Sequence, residues 1–194
     1  MVETPRAVIK FQKCNLEIKI MNGEVDQTAN LRNDLQEWSK KMQSGYAELG
    51  QFIVEFSQLE FSIRAAIGGY LNIPSELINI ILSEYQFISL CRVWKLLANK
   101  FHPESIEVTK KIFKELLSIN TDRVRVAHGL WTPGVDTIEA LHITRGAEKV
   151  EAFFSEPGEL KSLAHECQRL IQEIIGFRCQ VTGSEDLGLK SGDS

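Results

Sequence analysis

Nowhere in these 194 residues is there a C-x-x-C pair, a glycine-rich phosphate loop, or an apolar run approaching the roughly 20 residues that span a bilayer. Each absence removes a class of function. The four cysteines (Cys14, Cys91, Cys167 and Cys179) are scattered and have no paired histidines, so no zinc site and no other metal is expected. Cys91 and Cys167 fall within apolar helical patterns and read as small buried hydrophobes. The opening MVETPRAVIKFQKC lacks an apolar core followed by small residues, so no secretory signal is expected. A cytoplasmic protein with no membrane association follows. Cations are also in short supply: the formal net charge is −4. A general DNA-binding face needs many cations to release counterions, and this balance argues against one. A small basic cleft on an acidic body remains open. No Ser-His-Asp set can be argued from spacing, and no cofactor is expected.

What is present is ordinary globular material, 43% hydrophobic and 25% charged, enough for one domain with a substantial core. Leu16, Ile18 and Ile20 alternate with Glu17 and Lys19, which predicts a strand within an N-terminal segment, residues 1–25. From Gln27 onward the period turns helical. Leu31, Leu35, Trp38 and Met42 form one stripe. After Ser44-Gly45 a second runs through Leu49, Phe52, Ile53, Phe56, Leu59, Ile63, Ala66, Ile67 and Tyr70, which predicts two helices ending before Asn72 and Pro74. A short helix is expected over 74–83, another over 87–101, and a long one from Pro103 to His128, with Gly129 as a left-handed C′ residue. Then the texture changes. TIEALHIT and KVEAFFS, joined through Arg145-Gly146, predict a β-hairpin near 136–155, with the N-terminal strand as a candidate third strand. Leu160, Leu163, Ala164, Cys167, Leu170, Ile171 and Ile174 make a final amphipathic helix, and a polar tail over 181–194 is expected to be disordered. The fold class is mainly α: an up-and-down helical bundle, residues 26–180, with a small β element before the last helix.

One stretch asks for more than a fold. Residues 120–131 read NTDRVRVAHGLW. Cations in a last helical turn meet the negative end of the macrodipole, each worth about 0.3–1 kcal/mol, and Arg125 between two valines reads as such a cap. Arg123 is different. Helical steps from Leu116 lead through Ile119 or Asn120 to Arg123, which places it on the packed face. A buried arginine there requires a carboxylate, a water-filled cleft or another subunit. Glu60, beside Leu59 at the edge of the second stripe, is the candidate partner. His102, His142 and His165 read as surface or half-buried residues without a site role.

The segment resembles the R-x4-6-H motif of the HEPN superfamily, in the form R-N-x-x-A-H-G followed by an aromatic. Arg123, Ala127, His128, Gly129 and Trp131 match that form, and FIVEFSQLEFSIRAAIGGYL (52–71) resembles an early helix of the family with Glu60 as its acidic position. The resemblance covers residues 28–178. It implies a bundle that forms a homodimer with the two motifs at the interface. It also implies a metal-independent endoribonuclease of the toxin–antitoxin or phage-defence kind, with RNA as substrate and an antitoxin or other protein as partner. His128 would be the general base or acid at a ribose 2′-hydroxyl, and Arg123 would neutralise the scissile phosphate. Asn120 and Asp122 would supply supporting polar groups. Val124 stands where the common form has a polar residue. That departure carries the alternative: a catalytically inactive HEPN-like dimerisation or binding module. Residues five apart also differ by about 140° of azimuth on a regular helix, so Arg123 and His128 meet only if the helix unwinds at Gly129 or a second subunit completes the site.

Overall fold

A computed structural model of the chain describes residues 24–143 and 150–185, with side chains over 31–142 and 150–177. The predicted N-terminal strand, the hairpin turn at Arg145-Gly146 and most of the polar tail lie outside them. By contacts the chain divides into two units, residues 1–36 and 37–194. The first is described only as the start of a helix. The second carries the rest.

In chain order the elements are α1 (Glu24–Leu71), α2 (Ser75–Ile81), α3 (Phe87–Phe101), a 3-10 turn (Pro103–Ser105), α4 (Ile106–His128), β1 (Leu130–Pro133), β2 (Ile138–Ile143), β3 (Val150–Phe153) and α5 (Glu159–Glu185). The protein is a mainly α bundle with a small antiparallel sheet, as the patterning requires. Helix α4 packs between α3 and α5. Helix α1 joins them through Phe56, whose ring lies 4.6 Å from that of Phe87 on α3, and through Glu55, which accepts a hydrogen bond from Gln168 on α5 at 2.7 Å. Arg169 of α5 pairs with Glu115 of α4 and with Glu166 and Glu173 on its own helix. The core is continuous: Phe52, Leu59, Ile63 and Ile67 from α1, Leu90 and Trp94 from α3, Ile112 and Leu116 from α4, and Leu170 from α5 are all inaccessible. Cys91 and Cys167 are buried free thiols, each pushed up to about 12 by that burial. His102 is mostly buried between Tyr70 and Phe177, His142 is half-buried and His165 exposed.

Helix α1 ends as its sequence demands. Asn72 takes φ 51°, the amide of Ile73 donates to the Gly68 carbonyl at 2.9 Å, and that of Asn72 to the Gly69 carbonyl at 3.3 Å. This is the Schellman pattern, with asparagine in the left-handed position.

Three expectations need correction. Helix α1 does not break at Ser44-Gly45 but runs on as one helix of 48 residues. Of its first stripe only Met42 is buried, while Leu31, Leu35 and Trp38 are exposed. The glycine is there for proximity. A Cβ at Gly45 would lie 2.8 Å from Ile138 Cγ1 and 2.9 Å from Thr137 Oγ1, at the start of β2. Second, Gly129 is extended, with φ −72° and ψ 144°, rather than left-handed. It too marks a close approach: its Cβ would lie 2.8 Å from the Ala140 Cβ. Third, the sheet has the order β1-β2-β3, and β1, directly after α4, is a strand the patterning did not indicate; the N-terminal candidate strand lies outside the described residues. Pro133 hid that strand, yet β1 is an edge strand, where a missing N–H costs no ladder bond.

The two glycines inside α1 therefore make opposite predictions. Nothing lies within 4 Å of a Cβ at Gly50. Gly50→Ala should stabilise by about 0.5–1 kcal/mol through helix propensity. Gly45→Ala should destabilise by about 1–3 kcal/mol despite the same propensity gain, because the methyl overpacks β2. Thermal midpoints moving in opposite directions, by about 2–4 °C per kcal/mol in a chain of this size, are the expected readout.

Candidate functional site

The end of α4 must satisfy its last carbonyls, which have no partner within the helix. Two are dealt with in sequence. The Gly129 amide donates to the Arg125 carbonyl at 2.8 Å, an ordinary helical bond that keeps the geometry regular through His128. The chain then turns into β1, and the Trp131 indole N–H donates to the Val126 carbonyl at 3.1 Å. The indole stacks on Phe154 at 5.9 Å and 14° between planes. Phe154 is buried and takes φ 61°, a left-handed conformation that costs a bulky residue about 1–3 kcal/mol. The stack on Trp131 offsets that cost. Trp131 is thus a side-chain cap fixing the helix end to the sheet.

The charged residues of the segment fall on two sides of α4, because each residue advances about 100°. On one side, Arg125 Nη1 donates to Asp122 Oδ1 at 2.8 Å, and the guanidinium lies 4.3 Å from the Phe153 ring centroid. Asp122 is therefore engaged, and the Arg125 guanidinium turns back one helical turn to it rather than toward the helix end. On the other side, Arg123, Val126, Ala127 and Trp131 border a groove of about 270 Å³ against Phe52, Ile53, Phe56 and Glu60 of α1.

Arg123 is not on the packed face. The buried stripe runs through Ile112, Leu116 and Ile119 to Val126, stepping over Arg123, which is exposed with its guanidinium 5.8 Å from the Phe56 ring centroid. A seven-residue step from 119 to 126 keeps the same face, so the valine carries the core and the arginine stands at the rim of the groove. Glu60 shares that groove, but its carboxylate accepts from Arg64 Nη2 at 2.7 Å, and Arg64 Nη1 donates to the Leu82 carbonyl at 2.5 Å. The i,i+4 spacing of Glu60 and Arg64 made that pair visible in the sequence. Asn120 is half-buried and joins no hydrogen bond among the described side chains. His128 is exposed on the last residue of the helix and has no ion pair or ring contact among them.

The structure thus brings Arg123 and Glu60 to one groove, ties Asp122 to Arg125, and leaves His128 apart. Because α4 does not unwind, one chain does not converge Arg123 and His128. No group of histidines, cysteines and carboxylates fit to hold a metal occurs among the described residues, and no helix there is long and apolar enough to cross a membrane.

These roles separate in stability measurements. Trp131→Phe keeps a ring against Phe154 but leaves the Val126 carbonyl without its donor, and should cost about 1–3 kcal/mol. Arg123→Ala and His128→Ala, both exposed, should stay within about 1 kcal/mol. Chemical denaturation of the three variants is the check. In comparisons with known proteins, no family model matches the chain, and no curated protein or solved structure matches it.

Proposed function

We propose that the chain is a HEPN-like, metal-independent endoribonuclease whose site is completed by a second copy of itself. The observation that carries this reading is the division of labour at the end of α4. Arg125, Asp122 and Trp131 satisfy the local structure, while Arg123 and His128 reach solvent with no ion pair among the described residues. Charges that merely cap a helix end need no such surplus.

The spacing supports the need for two copies. Arg123 and His128 diverge by about 140° on a helix that stays regular to its last residue. A two-fold dimer with these ends facing each other would set the arginine of one copy against the histidine of the other. Exposed apolar side chains around them, Ile53, Val124 and Leu130, suit such an interface. In the reaction, one His128 takes the proton of a ribose 2′-hydroxyl, the 2′ oxygen attacks the adjacent phosphorus, and the bond to the 5′ oxygen breaks. The same His128 then returns that proton to the leaving 5′ oxygen. The Arg123 fork spreads the added negative charge on the phosphate. The products are a 2′,3′-cyclic phosphate and a free 5′-hydroxyl. A cytoplasmic toxin–antitoxin or phage-defence setting, with an antitoxin or other protein restraining the enzyme, goes with this reading.

A second reading has one observation in its favour. Val124 is exposed where the common motif has a polar residue. In that reading the same surface is an inactive dimerisation or binding module.

The decisive assay is cleavage of single-stranded RNA by purified protein in EDTA. The expected products carry 2′,3′-cyclic phosphate ends, and His128→Ala should lower the rate by about 10²–10⁴-fold. Mixing Arg123→Ala with His128→Ala should restore activity, because a mixed dimer regains one intact composite site. Cleavage abolished by EDTA, or surviving His128→Ala, overturns the mechanism. A wild type as inactive as its variants favours the binding module.

A further inference from the structure

Asp122 and Arg125 border a second hollow of about 420 Å³ against β3 and the start of α5. That volume lies in the range of about 300–1,000 Å³ typical of small-ligand sites. Phe153, Ser155, Glu159 and Ser162 line it. We propose that this hollow is a nucleobase pocket that selects guanine next to the cleaved phosphate. The proposal rests on the ribonuclease reading for its substrate class and deepens it by naming the base.

Four features argue for a base. The Arg125 guanidinium lies over the Phe153 ring, 4.3 Å from its centroid, and is hydrogen-bonded to Asp122, while 39% of its side chain stays exposed. A fixed guanidinium plane backed by an aromatic ring is a stacking platform for a planar heteroaromatic group. Second, Phe153 and Phe154 border the same hollow although they are consecutive, because the left-handed backbone at Phe154 turns the chain as β3 ends. Third, the hydroxyls of Ser155 and Ser162 make no hydrogen bond among the described residues and remain available to a ligand edge. Fourth, two carboxylates stand against one arginine, which disfavours a phosphate in the hollow itself.

The carboxylates also choose the base. Asp122 uses Oδ1 on Arg125, and Glu159 uses Oε2 on the Glu156 amide at 3.1 Å, so each keeps one oxygen free. Carboxylate oxygens accept and do not donate. Guanine offers an adjacent imino and amino N–H on one edge. Uracil offers one N–H between two carbonyls, which the carboxylates repel. Arg125 and His128 are three apart, so their side chains are neighbours about 5–6 Å apart on the helix surface. In this proposal the ribose and phosphate of a base on Arg125 span the remaining gap to His128, which does not itself line the hollow.

The test is fluorescence-anisotropy binding in EDTA of two short RNA probes, oligouridine and the same strand with one central guanosine, alongside mapping of cleavage ends. The wild type should prefer the guanosine probe by about tenfold or more, the size of one good paired hydrogen-bond contact. Glu159→Gln should erase that preference while leaving oligouridine binding within about twofold, since the amide keeps the acceptor for Glu156 but replaces the charge. Phe153→Ala should weaken both probes, and circular dichroism on each variant confirms the fold. Cleavage that proceeds with no guanosine preference and is indifferent to Glu159→Gln overturns the pocket alone. Guanosine-selective binding without cleavage supports the pocket and overturns the ribonuclease. Inorganic phosphate that displaces the guanosine probe from Arg125 as well as guanosine monophosphate does would show an anion site, and the base assignment falls.

Discussion

Everything at the candidate site depends on how tightly the end of α4 is pressed against the sheet. At Gly129 the backbone runs so near β2 that a single methyl would lie 2.8 Å from the Ala140 side chain. That approach lets the chain turn at once into β1, paired with β2 from Leu130 to Pro133. The immediate turn brings Trp131 back beneath the helix, where its N–H reaches the Val126 carbonyl. Remove the close approach and the indole cannot reach, the carbonyl is left without a donor, and Phe154 loses the stack that holds its left-handed backbone. Glycine, alanine and tryptophan here form one packing device. The motif-like ending A-H-G-x-W therefore has a structural explanation for its glycine and its aromatic, independent of any chemistry.

That explanation sharpens what remains. Once Gly129, Trp131, Arg125 and Asp122 are assigned to holding the corner, Arg123 and His128 are left as the charged or titratable side chains of the segment with no ion pair among the described residues. Neither needs the other for folding, and the regular helix keeps them apart. Exposed side chains contribute little to stability, and surface ion pairs would return at most about 1 kcal/mol. Arg123 stands at the rim of the apolar groove and His128 lies outside it, so the two exposed groups are separate features of one helix end.

Much of the fold was legible because helical periodicity is strong where faces are cleanly divided. Helix α3 spans Phe87–Phe101 as its stripe indicates, and Pro103 opens α4 through a 3-10 turn. The hairpin strands fall where alternation predicts them. What misled was glycine and proline. At Gly45 and Gly129 the local pattern implies a break or a left-handed turn, whereas the actual reason is a partner nearly 100 residues away or across the sheet. No local pattern contains that partner. Pro133 concealed β1 in the same way, because its acceptability depends on being at a sheet edge. At the site, the i,i+4 pair Glu60–Arg64 was written in the spacing, and crediting Glu60 to Arg123 overlooked it. Arg123 itself was misplaced because two helical steps from Ile119 differ by one residue, and only packing decides that Val126 takes the buried position.

The same one-residue choice sets the electrostatics of the region. Had Arg123 taken the buried position, its charge would need an internal carboxylate, and Glu60 would be consumed in neutralising it. With Val126 buried instead, Glu60 is left to Arg64 and the Arg123 guanidinium rests near the Phe56 ring, its charge turned outward. Aromatic contact orients a guanidinium without neutralising it, which preserves its attraction for an anion. Across the helix, Arg125 is also oriented by a ring, Phe153, but is partly neutralised by Asp122. One helix end thus presents two arginines of unequal character: Arg123, with no ion pair among the described residues, and Arg125, paired with Asp122. On a chain of net charge −4, the proposed reading uses that contrast: Arg123 would meet the phosphate and Arg125 the neighbouring base.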